Sequence, residues 1–313
     1  MTHGADPITL VTGGAGFIGS HLAEELARRG RRVRVLDDFS SGSEANLAAV
    51  QDMIEVVRGD VRDLACVKRA AEGASTVFHL AGLASVPLSQ EDPRLCLDVN
   101  GAGTLNVFSA AAAAGARRLV YASTSAVYGD LAPPHAESLL PSPNTPYAAV
   151  KLLGEHLGLF FESHHGLRSV SLRYFNVYGP RQTPDGPDSG VIPLFVEAAR
   201  RGERPVIYGD GSQTRDFVHV EDVVRATVLA AESPDASGCY NVATGRPVSI
   251  SELARLLGSL RPGAFPAPGF APSRSGDPPE SWADAAKAER ELGFRASFPL
   301  REGLEGLLEG SGL

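Results

Sequence analysis

A chain of 313 residues, 43% hydrophobic and 21% charged, has the balance of a folded globular protein, and its Gly and Pro together stay under a fifth, which excludes a low-complexity chain. The net charge of -8, with no window that interleaves basic and aromatic side chains, excludes nucleic acid as an expected partner. The longest alanine-rich run, 109–116, stops at Arg117 and Arg118, far short of the roughly 20 apolar residues that cross a bilayer, so no membrane segment is expected.

In chain order, a short apolar run at 8–11 predicts a first strand, and TGGAGFIG follows it at once. Phe17, Ile18, Leu22 and Leu26 then recur at helical spacing, with Gly30 placed to stop the helix. Further strands are predicted at 32–36, 54–58, 76–80, 119–123 and 168–174, with helical patterns between them. The alanine run at 110–114 reads as a helix that another helix can approach closely. This alternation predicts an α/β fold, a Rossmann-like doubly wound parallel sheet. After Tyr178 the texture changes to loops such as GPRQTPDGPDSG and RPGAFPAPGFAPSRSGDPP, separated by shorter helices, which predicts a smaller C-terminal substrate-binding part. The expected division is 1–178 for a dinucleotide, with 212–238 packing back on it, and 179–313 mainly for substrate.

The N-terminal MTHGADPITLVTGG has neither a basic head nor a small-residue cleavage site, which points to the cytoplasm. Cys66, Cys96 and Cys239 are odd in number and far apart, as expected of reduced thiols that are buried or half-buried. No spacing suits a metal, and neither a nucleophile elbow nor an ATP-binding glycine loop is present.

The glycine run carries the first functional signal. Gly14, Gly16 and Gly19 satisfy GxGxxG, with Gly13 as a further flexible position, between a strand and an amphipathic helix. Glycine there permits a tight turn and a close backbone approach to a pyrophosphate, while the helix N-terminus offers unpaired N–H groups. Asp37 closes the second strand 18 residues after Gly19 and is placed to accept the adenosine ribose hydroxyls and repel a 2′-phosphate, so NAD is expected over NADP. Asp38, Ser40 and Ser41 after it supply no cation, although Arg32 and Arg34 precede it in the strand. Asp60 and Val61 after the third strand are candidate adenine neighbours, and Leu80, Ala81 and Gly82 end the fourth strand with room for a cofactor to pass. His79 on that strand reads as a core histidine or a functional one, and His164 and His165 as a solvated helix end.

The second signal is Tyr147 with Lys151 four residues later, hence on one helix face, and Thr124 at the end of the fifth strand. Only three of the 29 basic residues are lysines, so a lysine kept at that spacing suggests that a compact point charge is wanted. A phenol with a pKa of ~10 is a poor base at neutral pH. The ammonium of Lys151 and a nicotinamide cation would favour phenolate, and Thr124 could hold the same substrate oxygen. The chemistry expected is hydride transfer between a secondary alcohol carbon and NAD, with Tyr147 moving the hydroxyl proton.

These residues resemble the extended short-chain dehydrogenase/reductase family in its NAD-dependent epimerase/dehydratase branch, most closely the UDP-glucose 4-epimerases, over 8–294. The resemblance runs through TGGAGFIG, DDFSSG, GDVRD, HLAG, STSAVYG, YAAVK, LRYFNVYGPRQ, GDGSQTRDFVHVEDV and SRSGDPPESWADAAKAERELGF. It implies an isomerase with bound NAD reduced and reoxidised in each cycle, a 4-keto sugar, and inversion at C4. It also implies a UDP-sugar substrate and a homodimer, with Phe17, Ile18, Asn100 and Tyr174 added to the cofactor contacts. For the substrate it implies Asn176 and Val191, Tyr208 near the uracil, Arg215 and Arg274 at the diphosphate, Asp277 at the ribose, and Ser281 beside the sugar C2 substituent. A bulky tyrosine at the Ser281 position excludes N-acetylated sugars in some members. Taken as residues alone, Arg215 with Asp216 reads equally well as a surface ion pair, Arg274 as a solvated loop residue and Ser281 as a turn cap.

Four departures matter. Thr124 is followed by Ser125 and Ala126 rather than the Asp-Glu pair of the dehydratases, and the decarboxylases place Glu where Ala126 stands. Ala84 stands where many galactose epimerases have Lys, and Thr124 where they have Ser. The alternatives left open are a UDP-glucuronate 4-epimerase, a 4-keto-sugar reductase of the same fold, and a dinucleotide-sensing regulator without turnover.

Overall fold

Strands that are apolar at nearly every position have to be covered on both faces, and the chain alternates them with helices that do so. The computed structural model describes residues 7–184, 189–263, 265–273 and 278–310. Its first part runs β1 (Ile8–Thr12), α1 (Phe17–Arg28), β2 (Arg32–Asp37), a 3-10 segment (Glu44–Met53), β3 (Ile54–Arg58), α2 (Leu64–Ala71) and β4 (Ala74–His79). Two short helices, α3 (Val86–Glu91) and α4 (Pro93–Cys96), lead through a π-helical turn (Leu97–Ala102) into α5 (Gly103–Ala113). After β5 (Arg118–Thr124) and a 3-10 turn (Ser125–Tyr128) come α6 (Pro146–His165), β6 (Arg168–Tyr174) and β7 (Asn176–Tyr178). The remainder is α7 (Val191–Arg200), β8 (Val206–Tyr208), β9 (Thr214–His219), α8 (Val220–Glu232), β10 (Gly238–Val242), β11 (Pro247–Ser249), α9 (Ile250–Leu260), β12 (Gly269–Ala271), β13 (Glu280–Ser281), α10 (Ala286–Leu292) and α11 (Leu300–Gly310).

Seven parallel strands form the main sheet in the order β10-β6-β5-β4-β1-β2-β3. Alternate residues of one strand feed opposite cores: Val11 and Val120 pack with Leu22, Val35 and Val223 on one face, while Leu10, Leu119 and Tyr121 pack with Leu36, Phe108 and Phe161 on the other. All six strands predicted from the sequence are present, each within two residues of its predicted bounds. The seventh, β10, lies in the chain beyond them. The helix α8 packs on α1 and on β5 and β6. No helix among the described residues is long and apolar enough to cross a membrane.

The second half differs from its expectation of loops and shorter helices. It holds a four-stranded sheet, β11-β9-β13 with β7 beside β9, and a two-stranded sheet, β8 with β12. Five of these strands are only two or three residues long, too short for a period of two to show, and β9 reads TRDFVH, whose charges conceal that five of its six residues are buried. A separate core of Ile192, Phe195, Leu253, Leu257 and Leu304 supports these sheets. Cys66 and Cys96 are buried free thiols and Cys239 is half-buried.

Candidate active site

The loop after β1 is glycine-rich because its neighbours leave no space. A Cβ on Gly13, whose φ is 71°, would lie 2.6 Å from the Ala81 nitrogen; one on Gly14 would lie 2.8 Å from the Val35 side chain, and one on Gly19 2.0 Å from the Gly13 carbonyl oxygen. Gly16 is the N-cap of α1 and supplies no side-chain cap, so the first-turn N–H groups stay open to an anion. Phe17 and Ile18 begin that helix. A cradle walled by backbone at the N-terminus of a helix fits a dinucleotide pyrophosphate.

Asp37, at the end of β2, faces this loop. Its Oδ2 accepts the Ala15 N–H and its Oδ1 the Phe39 N–H, both at 2.8 Å, with Phe39 held in the left-handed region at φ 61°. Burial pushes the carboxyl above its ordinary range, and the two backbone bonds act the other way. Each oxygen keeps a lone pair for a ribose hydroxyl. Arg34 is turned away, bonding the Ala70 and Glu72 carbonyls and lying 2.9 Å from Glu55, while Arg32 is exposed at the far end of the strand. Asp38 Oδ1 accepts both N–H and hydroxyl of Ser40, and Ser41 is exposed beside it. Asp60 pairs with Arg62, and Val61 is buried against α5.

Leu80 and Ala81 lie against Gly13 of the glycine loop, and Gly82 follows them. Asn100 fixes this segment: its Oδ1 accepts the Leu83 N–H at 2.7 Å and its Nδ2 donates to the Leu83 carbonyl at 2.9 Å, and a Cβ on Gly82 would meet both Asn100 and the Lys151 ammonium. His79 is a core residue, its two ring nitrogens on Thr12 and Thr104, and burial drives its pKa down to about 3.

Helix α6 starts where Thr145 caps the Ala148 N–H and Pro146 takes the first turn, and it ends at Gly166 in the left-handed region. Gly154 brings it against β5: a Cβ there would sit 2.3 Å from Tyr121. The approach buries Lys151, whose Nζ donates to the Ala122 carbonyl at 2.9 Å and lies 5.2 Å from the Tyr121 ring centre and 5.9 Å from that of Tyr147. Burial lowers the Lys151 pKa to about 8. Tyr147 and Thr124 are half-buried, and Thr124 Oγ1 accepts the Ala126 N–H. Tyr174 stands beside Thr124 in the sheet, but its hydroxyl is engaged with Thr227 Oγ1 at 2.8 Å on the core side.

Of the residues expected to meet substrate, three share one small sheet. Asn176 opens β7 opposite Phe217 of β9, and Arg215 of β9 stands opposite Ser281 of β13. Arg215 and Ser281 are buried, and Asn176 is exposed. Asp216 is fully buried and is no surface ion pair: its carboxylate accepts the Thr244 N–H and hydroxyl and the N–H groups of Gly245 and Ala283. Burial raises its pKa against those four donors. Ser281 lies in a strand rather than capping a turn. Tyr208 ends β8 with its ring exposed, and Val191 opens α7. Arg274 and Asp277 lie outside the described residues.

Sequence reasoning missed Asp216 as an organiser of two segments, the Thr244–Gly245 loop and the stretch at Ala283. It also missed a buried group behind Thr124, in which Glu155 receives both Arg173 and Ser123. The available signal was the repeat of the Tyr147 and Lys151 spacing at position 155.

The profile of the NAD dependent epimerase/dehydratase family matches residues 9–243. The UDP-glucose 4-epimerase of Mycolicibacterium smegmatis is 39% identical over 96% of this chain and 97% of its own. The solved UDP-N-acetylglucosamine 4-epimerase of Methanobrevibacter ruminantium, in complex with UDP-N-acetylmuramic acid, superposes with a TM-score of 0.92 at 36% identity, covering 98% of each chain. The UDP-glucose 4-epimerase of Thermus thermophilus, solved with NAD, gives 0.89 at 38% identity over 97% of this chain and 99% of its own.

Proposed function

The chain belongs to the NAD-dependent epimerase/dehydratase family, and on that premise we propose that it is a UDP-sugar 4-epimerase, interconverting UDP-glucose with UDP-galactose and accepting their N-acetyl forms. The observation that carries the chemistry is the buried Lys151 ammonium 5.9 Å from the Tyr147 ring, beside the glycine loop and at the end of β5. When bound, NAD supplies the acceptor and donor of a hydride at the sugar C4. Tyr147 takes the C4 hydroxyl proton as the hydride leaves and returns it when the hydride comes back. Lys151 favours the phenolate and offers its remaining N–H donors to the cofactor ribose. Thr124 orients the same oxygen. Residues 1–178, with 212–238 against them, hold the dinucleotide, and 179–313 mainly hold the nucleotide sugar.

Ser125 and Ala126 follow Thr124 in the turn, so no carboxyl stands there to eliminate water or assist decarboxylation. Arg215, buried beside Ser281, supplies a charge for the diphosphate. Exposed Leu97, Leu105, Leu153 and Phe160 on the α5 and α6 side support a homodimer through that face, to be checked by sedimentation.

The deciding experiment assays the purified protein on UDP-glucose, UDP-galactose, their N-acetyl forms and UDP-glucuronate. Turnover of both the plain and N-acetyl pairs is expected, and Ser281→Tyr should depress the N-acetyl pair at least tenfold more than the plain pair, because a clash discriminates more sharply than a lost contact. Turnover of UDP-glucuronate alone would replace the proposed substrate, and no turnover of any of the five would refute the reading.

A further inference from the structure

Helix α6 carries a third functional-face residue beyond Tyr147 and Lys151. Glu155 is one further step of four along the same helix, and its side chain is 9% exposed. Its Oε1 accepts the Ser123 hydroxyl at 2.5 Å and the Arg173 Nε at 2.9 Å, and its Oε2 accepts Arg173 Nη2 at 2.7 Å. The helix is therefore fastened to two successive residues at the end of β5, to the Ala122 carbonyl by Lys151 and to the Ser123 hydroxyl by Glu155. Thr124 is the next residue.

The same network reaches the far side of Thr124. The Arg173 guanidinium carbon lies 4.8 Å from the ring centre of Tyr128, which closes the turn that Thr124 begins, and the Tyr128 hydroxyl donates to Asn241 Oδ1 at 2.7 Å. Thr124 thus lies between Ser123, bonded to the Glu155 carboxylate, and a turn closed by Tyr128, whose ring packs under the guanidinium paired with that carboxylate.

A stability role accounts poorly for this group. Replacing a buried ion pair by apolar side chains of similar volume is often neutral or stabilising, since desolvation offsets the Coulombic gain. What a two-pronged guanidinium–carboxylate pair supplies in place of stability is a fixed direction. Direction matters at this position, because a displacement of about 1 Å at a reacting centre can cost 10²-fold in rate.

We propose that Glu155 is a positioning residue for proton transfer, holding α6 in the register that keeps Tyr147 and Lys151 aligned with Thr124; the inference rests on the epimerase activity proposed above. Glu155→Met combined with Arg173→Met removes both charges without leaving one unpaired, and Ser123→Ala removes a single hydroxyl. Both are compared with the unaltered enzyme and with Tyr147→Phe for kcat, KM, bound NAD and the pH profile of kcat, each per folded molecule.

In the double variant kcat should fall tenfold or more, with KM and NAD content within twofold, and the rising limb of the pH profile should move to higher pH. Ser123→Ala should act in the same direction by threefold or more, and it carries the test alone if the double variant does not fold. An unchanged kcat and pH limb, or a fall in kcat that merely tracks lost NAD or lost folded protein, would overturn the positioning role. If Tyr147→Phe itself turns over normally, the epimerase reading fails instead, so the two failures are distinguishable.

Discussion

At the carboxyl edge of the main sheet, position is enforced by the absence of side chains: Gly13 sits against Ala81, Gly14 against Val35 and Gly19 against Gly13 itself, each without room for a methyl group. In the small sheet the opposite holds. There Asp216 organises the Thr244–Gly245 loop and the segment after β13 at Ala283 by accepting four hydrogen bonds. The first region is specified by shape and the second by buried charge. Shape tolerates no added atom yet is indifferent to pH and salt, whereas a buried carboxylate tolerates its space being changed but not its hydrogen-bonding capacity.

The largest expected effect probes the point where the two principles meet. Tyr147→Phe keeps the shape and removes only the hydroxyl proposed to move the proton, so turnover should fall by roughly 10²–10⁴-fold with NAD and UDP binding unchanged. A comparable loss of binding, seen by titration calorimetry, would mean that the phenol also shapes the site.

Gly13→Ala tests the shape-built region. Its Cβ meets backbone at 2.6 Å in a left-handed conformation, so a stability loss of about 2–4 kcal/mol is expected in denaturant, with NAD affinity lowered at least tenfold. Near-normal NAD binding would show that the loop yields more easily than its packing implies.

The charge-built region has its counterpart in Asp216→Asn, which fills the same space but sets its amide N–H against the Thr244 N–H or against the N–H groups of Gly245 and Ala283. Stability should drop by about 1.5–3 kcal/mol and UDP binding should weaken, while NAD binding holds. Equal damage to both ligands would erase the distinction between the regions.

The smallest effect sharpens it by pH. Lys151 has its folded pKa lowered by burial to about 8 from 10.5, so between those values the unfolded chain binds more protons than the folded one. Stability must then rise with pH across that window, and the unaltered protein should gain about 2 kcal/mol over Lys151→Met between pH 8 and 10. The groups facing it are Tyr147, Cys96, Tyr121 and His79, and the last is neutral throughout. Parallel curves for the two proteins in urea would mean that the ammonium is not desolvated.

The same contrast explains what could be read in the sequence. Shape leaves a mark in the residue string, four glycines after a strand, and two buried charges do as well, an aspartate at the next strand end and a lysine four residues after a tyrosine, because those types are unusual at those places. The other buried charges leave none. Arg215-Asp216 looks like a surface pair until β9 is known to be covered, and Glu155 looks like any helix-surface glutamate until Arg173 arrives from β6. The short strands β7, β8, β11, β12 and β13 are defined by their partners rather than by their own patterns. Tyr174 shows the remaining gap, since its place beside Thr124 followed from the strand pairing but the aim of its hydroxyl toward Thr227 did not.

The position of β10 has a consequence for how the protein can be made and remade. This strand lies beside β6, yet it is reached only after the chain has passed through β7, α7, β8, β9 and α8. A ribosome that has released the chain through Tyr178 has therefore produced six strands of the main sheet with the flank of β6 unpaired, a row of open N–H and C=O groups that invites association with other nascent chains. Closure waits until Val242 has emerged. For the same reason the two halves cannot be traded between relatives as cassettes at a single junction near residue 178: a graft there would carry the missing edge of one sheet away with the other half, and a workable exchange needs a second crossover that leaves α8 and β10 behind.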